Sequence, residues 1–204
     1  MLRSLLSRPA LYQLFGVAIG APAFRRTFAS EYIRSKSDER VLDIGCGPGS
    51  MVPYLASAEY VGFDMSPAYI AAAKKQFGAR GTFICDRVST RTLDAPGSYD
   101  LVLASAILHH LDDEEARKLF ELAALALKPG GRLVTLDCAY VPEQSTLARW
   151  IVSMDRGRHV RTPEAYAELA RLTFRDVTID VRHDLLRIPY THVLLECRDP
   201  STSA

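Results

Sequence analysis

"VLDIGCGPGS", residues 41–50, decides the fold. A short apolar run ends in glycines at 45, 47 and 49, and Asp43 stands two residues before the first of them. Glycine at that density destabilises helix and strand alike, so the loop needs bare backbone, for a tight turn or for the close approach of a ligand. A buried strand feeding such a loop is how an open α/β sheet begins, and in those sheets ligands sit beyond the carboxyl ends of the strands.

Working outward, strands and helices alternate. "RVLDI" (40–44) is a strand, and a helix is expected over Ser50–Ala56. "YVGF" (60–63) is the next strand. Ser66 then caps a helix that has Pro67 at its first position and Gly78 as its stop. "TFIC" (82–85) and "YDLVLAS" (99–105) read as strands three and four. "DDEEARKLFELAALALKPGG" shows one apolar face (Ala116, Leu119, Phe120, Ala123, Leu127), with acids in its first turn and Lys128 in its last. "GRLVTLD" (131–137) is the fifth strand. A polar and aromatic stretch, 139–161, leads to a helix opened by Thr162 and Pro163. "DVTIDVRH" and "YTHVLLECR" close the chain. Their connection, about 184–189, is too short for a crossover, which makes them antiparallel neighbours. The expected fold is α/β: a doubly wound seven-stranded sheet, mostly parallel with the last strand antiparallel, and helices on both faces. Residues 1–35 read as a helical lid, 36–198 as the domain with an insertion at 139–161, and 199–204 as a loose tail.

The 204 residues suit one domain, and the balance of 48% hydrophobic and 24% charged residues at a net charge of +1 leaves no electrostatic footprint for nucleic acid. Four cysteines (Cys46, Cys85, Cys138, Cys197) have no CxxC spacing and read as reduced, buried thiols of a cytoplasmic protein. "LYQLFGVAIG" (11–20) followed by "APA" allows two readings. One is a secretory signal; the other is a helix running on through Phe24, Phe28 and Ile33 that covers the site with Tyr12 and Phe15. The run is too short and too interrupted for stable membrane insertion.

Strand ends at Asp43, Asp64 and Asp86 bring three carboxylates to the ligand side. Pyrophosphate would be repelled there; the lysine of a phosphate loop is missing, and Ser50 stands where a dinucleotide loop needs its third glycine. A ligand with positive charge, ribose hydroxyls and an exocyclic amine suits the carboxylates, and S-adenosyl-L-methionine is such a ligand. On these residues the chain resembles the class I S-adenosylmethionine-dependent methyltransferases over about 36–198. "VLDIGCGPG" is similar to the family's first motif, "YVGFDMS" to its second-strand acid, "FICDRV" to its adenine-side acid, and "LKPGGRLV" to its post-core motif. The resemblance implies that Gly45, Cys46, Gly47 and Gly49 lie along the methionyl part and that Asp43 helps hold the ammonium. It implies Asp64 at the ribose hydroxyls, Met65 on the adenine face, Asp86 at the adenine amine, Arg87 beside the ring, and Ala104 at the end of the fourth strand. Each aspartate taken alone reads equally as a cap or turn residue.

"ASAILHHLDD" (104–113) and "TLDCAY" (135–140) end neighbouring strands, so His109, His110 and Asp137 are expected to face one cavity, one histidine (His110 ahead of His109) as general base and Asp137 either orienting an imidazole or itself accepting the acceptor's hydroxyl proton. The competing reading has one histidine packing on the cofactor and the other capping the next helix. Tyr140, Trp150, Arg156 and Arg161 are the candidate acceptor contacts, suited to a sugar or an anionic group. No Asn/Asp-Pro-Pro-Tyr follows the fourth strand and no acid cluster marks a metal site, so a small-molecule acceptor is expected, with transfer to a hydroxyl oxygen ahead of nitrogen or carbon. A cofactor-binding partner subunit without turnover is the reading from another class.

Overall fold

The computed structural model describes residues 19–56, 59–93, 96–154 and 157–201. The expected cover residues Tyr12 and Phe15, and the candidate acceptor contact Arg156, lie outside them.

Within the described residues the strands are β1 (Arg40–Ile44), β2 (Glu59–Phe63), β3 (Thr82–Ile84), β4 (Tyr99–Ser105), β5 (Leu127–Cys138), β6 (Phe174–Arg182) and β7 (His192–Pro200). They form one sheet in the order β3-β2-β1-β4-β5-β7-β6. The pairs from β3 to β5 are parallel, and β7 runs antiparallel to both β5 and β6. The reversal sits where the short hairpin connection required it.

Alternation along the strands sends side chains to two apolar layers. On one face Leu42, Val102 and Leu133 pack with Phe120 of α3 (Asp113–Ala126) and Tyr166 of α5 (Pro163–Arg171). On the other, Val41, Leu101 and Val134 pack with Phe28, Ile33 and Ile70. Those last three belong to α1 (Ala21–Thr27) with its π-helical extension Phe28–Ile33, and to α2 (Pro67–Phe77). Helices therefore cover both faces. Ser66 caps α2 by accepting from Tyr69 N, and Thr162 caps α5 by accepting from Ala165 N.

Four local expectations need correction. The helix at Ser50–Ala56 is only a 3-10 turn, Val52–Tyr54; Pro53 supplies no N–H, and Leu55 is already extended. α3 ends at Ala126, because Pro129 disfavours helical backbone at Lys128. Lys128 Nζ instead pairs with Asp100 of β4 at 2.9 Å, and β5 begins at Leu127. The stretch 139–161 holds a helix and loop, as the bland reading of its polar sequence expects, the helix being α4 (Thr146–Ser153), capped by Ser145. The tail is shorter than expected, since β7 runs to Pro200 and Ser201 N donates to Thr173 O. Of the four free thiols, Cys85 is exposed while the others are buried. No helix of the described residues is long and apolar enough to cross a membrane.

α1 and its extension lie on the sheet over β5, β7 and β6. Phe24 stacks on His192, Arg182 Nη1 donates to Glu31 and Tyr32, and Arg34 pairs with Glu196.

Gly49 is the tightest point between loop and helix. It has φ +74°, and a Cβ there would meet Phe77 of α2 at 2.9 Å. Gly49→Ala is expected to lower the unfolding free energy by at least about 1 kcal/mol, read from urea denaturation followed by circular dichroism. An unchanged midpoint would show that loop and helix are not in contact.

Candidate functional site

The carboxyl ends of β1, β2 and β3 are tied together by backbone donors. Gly45 N and Cys46 N both donate to Phe63 O, at 2.8 and 2.9 Å, and Asp64 N donates to Ile84 O at 3.1 Å. Asp64 completes the tie: its Oδ2 accepts from Gly47 N at 3.0 Å and its Oδ1 from Ser66 N at 2.8 Å. Each oxygen keeps a further lone pair for a ligand.

Asp43 lies buried beneath the loop and accepts from the Tyr60 hydroxyl at 2.7 Å. Burial, reinforced by the charge of Asp64, pushes its carboxyl up to about 6 against the opposite pull of Tyr60. Cys46 is packing: a Cβ on Gly62 would lie 2.8 Å from its Sγ, and burial first, then the neighbouring carboxylates, drive its thiol well up. Gly47 differs from the other loop glycines, because a Cβ there would meet nothing within 4 Å. Asp86 is exposed and accepts from Arg87 N at 2.7 Å, while the Arg87 guanidinium reaches Glu115 at 3.2 Å. Met65 is exposed beside them. Ala104 is a core residue, fully buried among the side chains that β4 sends under α3.

β4 leaves the sheet through Ala106, which has φ +56° and donates its N–H to Leu136 O at 2.7 Å. Left-handed backbone is unfavourable for alanine, so long-range pairing holds it there. Ile107 follows and packs on the loop; a Cβ on Gly45 would meet its Cδ1 at 2.9 Å. The 3-10 turn Leu108–His110 then presents both histidines.

The structure brings His109, His110 and Asp137 together, but not as equals around one cavity. His109 is buried, with Nδ1 2.6 Å from Asp137 Oδ1, which also accepts from His109 N at 3.1 Å. A carboxylate on Nδ1 assigns the proton to that nitrogen. Asp137 is buried too, and burial raises its carboxyl while the His109 contacts pull it down. Its Oδ2 is buried with no hydrogen-bond partner. His110 is exposed, its ring 4.0 Å from that of His109. The expected shared cavity is thus corrected: the Gly157 backbone lies over the His109 ring, and His110 alone of the pair is exposed.

Past the end of β5, Tyr140, Thr146, Arg149, Trp150 and Ser153 line a groove of about 480 Å³. The Arg149 guanidinium lies 5.0 Å over the Tyr140 ring, and Trp150 is 56% exposed. Arg161 is corrected as an acceptor contact: its donors go to Asp113, Leu108 O, His159 O and Leu111 O. Near the closing hairpin, His183 Nδ1 meets Thr191, and His192 is buried between Phe24 and Tyr190. Burial and the charge of His183 pull the His192 imidazole down to about 4. A cavity of about 660 Å³ lined by Arg34, Lys36, Glu39, Asp100 and Arg132 opens at the amino ends of the strands, remote from the glycine loop.

Sequence patterns did not reveal Tyr60, Ala106, Ile107 or Gly157. Tyr60 reads as an ordinary strand aromatic, and alanine carries no mark of a left-handed turn. A lone glycine before "RHVR" was the available signal for Gly157.

Comparison with known proteins agrees with this fold. Residues 41–131 match the model of a methyltransferase domain. Over 118 residues the chain is 32% identical to the ribosomal RNA small subunit methyltransferase C of Chromohalobacter salexigens, covering 55% of this chain and 34% of that one. Over 126 residues it is 29% identical to the ubiquinone biosynthesis O-methyltransferase of Xanthomonas euvesicatoria pv. vesicatoria, covering 58% and 52%. The chain therefore spans well under two thirds of the curated relatives it matches. A TehB-like SAM-dependent methyltransferase from Corynebacterium glutamicum shares the fold, with TM-score 0.65 at 16% identity over 93% of this chain and 96% of that one. The domain match lies on β1 to β5, and the sheet shares the fold of that enzyme, so in sequence and architecture the chain is similar to S-adenosylmethionine-dependent methyltransferases.

Proposed function

We propose that this chain is an enzyme that moves a methyl group from S-adenosyl-L-methionine to a hydroxyl oxygen of a small molecule, a sugar or a secondary-metabolite alcohol. The observation that carries the reading is the histidine turn, with its buried His109–Asp137 pair, packed through Ile107 onto the glycine loop.

The residues at the strand ends fit the cofactor. Three carboxylates match its ammonium, ribose hydroxyls and exocyclic amine, and the open space at Gly47 admits a ligand against bare backbone. Asp43 holds the ammonium, the loop 45–49 the methionyl part, and Asp64 the ribose. Met65, Asp86 and Arg87 form the adenine end. When bound, the cofactor supplies an electrophilic methyl group on a sulfonium. The chain's own work is to position the acceptor, exclude water and take up a proton. His110 is the exposed base for the acceptor hydroxyl, and His109, oriented by Asp137, supports it. Tyr140 and Trp150 give the groove an aromatic wall for the acceptor's body, and Arg149 supplies a charge for an anionic substituent. Curated relatives that include an O-methyltransferase support transfer to oxygen. Free thiols suit a reducing, cytoplasmic setting.

Three measurements test this. In the first, the purified chain and methyl-labelled cofactor are incubated with a cell extract, and label is expected in the small-molecule fraction. Label in RNA would replace the acceptor class, and cofactor binding with no transfer anywhere would make the chain a binding partner subunit. In the second, Asp64→Ala is expected to weaken S-adenosylhomocysteine binding roughly tenfold or more by calorimetry, since each hydrogen bond to a charged group contributes about 1.5–3 kcal/mol. An affinity equal to wild type would remove Asp64 from the ribose.

The third reads pH. Asp43 holds a cation only when ionised, and its carboxyl sits at about 6 in the free protein. Cofactor affinity is expected to be level above neutrality and to decline as pH falls through about 6, approaching a tenfold loss per unit well below it. In Asp43→Asn that decline should vanish. A wild-type affinity flat down to pH 5 would mean that Asp43 does not face the ammonium.

A further inference from the structure

Arginine carries five N–H donors in a rigid planar fork, more than an ordinary surface ion pair engages. All five of Arg161 are used. Nε and Nη2 reach Asp113 Oδ1 at 3.0 and 2.7 Å. The other three contacts go to backbone: Nη2 to Leu111 O at 2.7 Å, and Nη1 to Leu108 O at 3.0 Å and His159 O at 2.9 Å. Leu108 and Leu111 bracket the two histidines in the chain. The carbonyl between them, His109 O, accepts from His159 N at 3.0 Å. Segment 157–161 thus satisfies three carbonyls of the histidine turn, two of them through this one side chain, which is only 9% exposed.

The main chain of the same residue faces the other way. Arg161 forms a parallel bridge with Ala139, and its carbonyl accepts from Tyr140 N at 3.1 Å. Tyr140 is a wall of the acceptor groove. Side chain and backbone of one residue therefore join the turn after β4 to the groove after β5. Gly157 closes the contact, since a Cβ there would fall 2.1 Å from His109 Cδ2.

We propose that Arg161 is a positioning residue for methyl transfer, fixing the histidine turn and the acceptor groove at one separation. The role rests on the methyltransferase reading above. It acts through His109 and His110, with no contact to the acceptor or the cofactor. In-line transfer depends on placing acceptor, base and methyl group within tenths of an ångström, and supporting contacts of this kind set such geometry. Lysine cannot replace the fork, because its single nitrogen cannot reach three carbonyls and a carboxylate from one place.

The test uses the full chain saturated with S-adenosylhomocysteine. The proton between His109 Nδ1 and Asp137 Oδ1, short and buried, is read as a far-downfield proton NMR resonance, assigned by its loss in Asp137→Asn. In Arg161→Lys that resonance is expected to broaden or disappear and label transfer from the methyl-labelled cofactor to fall roughly tenfold or more. Calorimetric affinity for S-adenosylhomocysteine should stay at the wild-type value. A resonance unchanged in Arg161→Lys overturns the proposal, as does a loss of cofactor affinity matching the loss of transfer. If Arg161→Lys does not fold, Asp113→Asn serves, because Asp113 is largely exposed and only orients the guanidinium. Faster solvent exchange of the same proton is then expected, and an unchanged rate overturns the proposal. Failure of the wild type to bind S-adenosylhomocysteine would sink the methyltransferase reading instead, and the two failures are distinguishable.

Discussion

The carboxylate of Asp64 is the contact on which the ligand end of this molecule depends. It accepts from Gly47 N and Ser66 N, and so joins the glycine loop after β1 to the start of α2. Hydrogen bonds to an ionised acceptor are about twice as strong as neutral ones, which suits a loop with few side chains to anchor it. With that tie and the Phe63 carbonyl in place, Gly49 is pressed under α2 and Gly47 is left facing open space. The same carboxylate thus organises the loop and remains available to hydroxyls. On the proposed reading, structure and ligand recognition share this one group.

A second constraint governs the turn that follows β4. β4 and β5 run parallel and, past an irregularity between Tyr99 and Leu101, in register from the Leu101 and Arg132 pair to the Ser105 and Leu136 pair, and the backbone of Ala106 stays in a left-handed turn because its N–H reaches Leu136 O. That turn throws the histidines back toward β5, where Asp137 receives His109. Burying such a pair is costly unless its geometry is good, and removing one partner leaves the other stranded. Asp137 Oδ2, buried without a partner, shows that part of this cost is retained at the site. The clamp from Arg161 adds a second hold on the turn, through the carbonyls of Leu108 and Leu111.

Much of this was readable in the sequence, for local reasons. Ser66 and Thr162 followed by proline announce helix starts because a hydroxyl at that position satisfies a free backbone N–H. The hairpin at 184–189 had to reverse β7, since no crossover fits there. Pro53 and Pro129, read correctly, would also have shortened the helix at Ser50 and stopped α3 at Ala126; proline's missing N–H and its effect on the preceding residue act locally. Lys128 was misplaced for another reason. Its partner Asp100 lies on a different strand, and no helical spacing reports it.

The sequence by itself determined the strand and helix order, the reversed strand, the glycine loop, and the row Asp43, Asp64 and Asp86 at the ligand end. All of these follow from periodicity, turn chemistry and the rule that ligands sit at strand ends. Tertiary structure alone decided which of the candidate residues are buried and which are exposed. Ala104 and Cys46 became core, His109 was buried and His110 left exposed, and Arg161 turned from the groove to the histidine turn. The reason is physical. Where a side chain's donors go depends on which carbonyls lie within 3 Å once distant segments pack, and that is a property of the packed chain rather than of any local stretch.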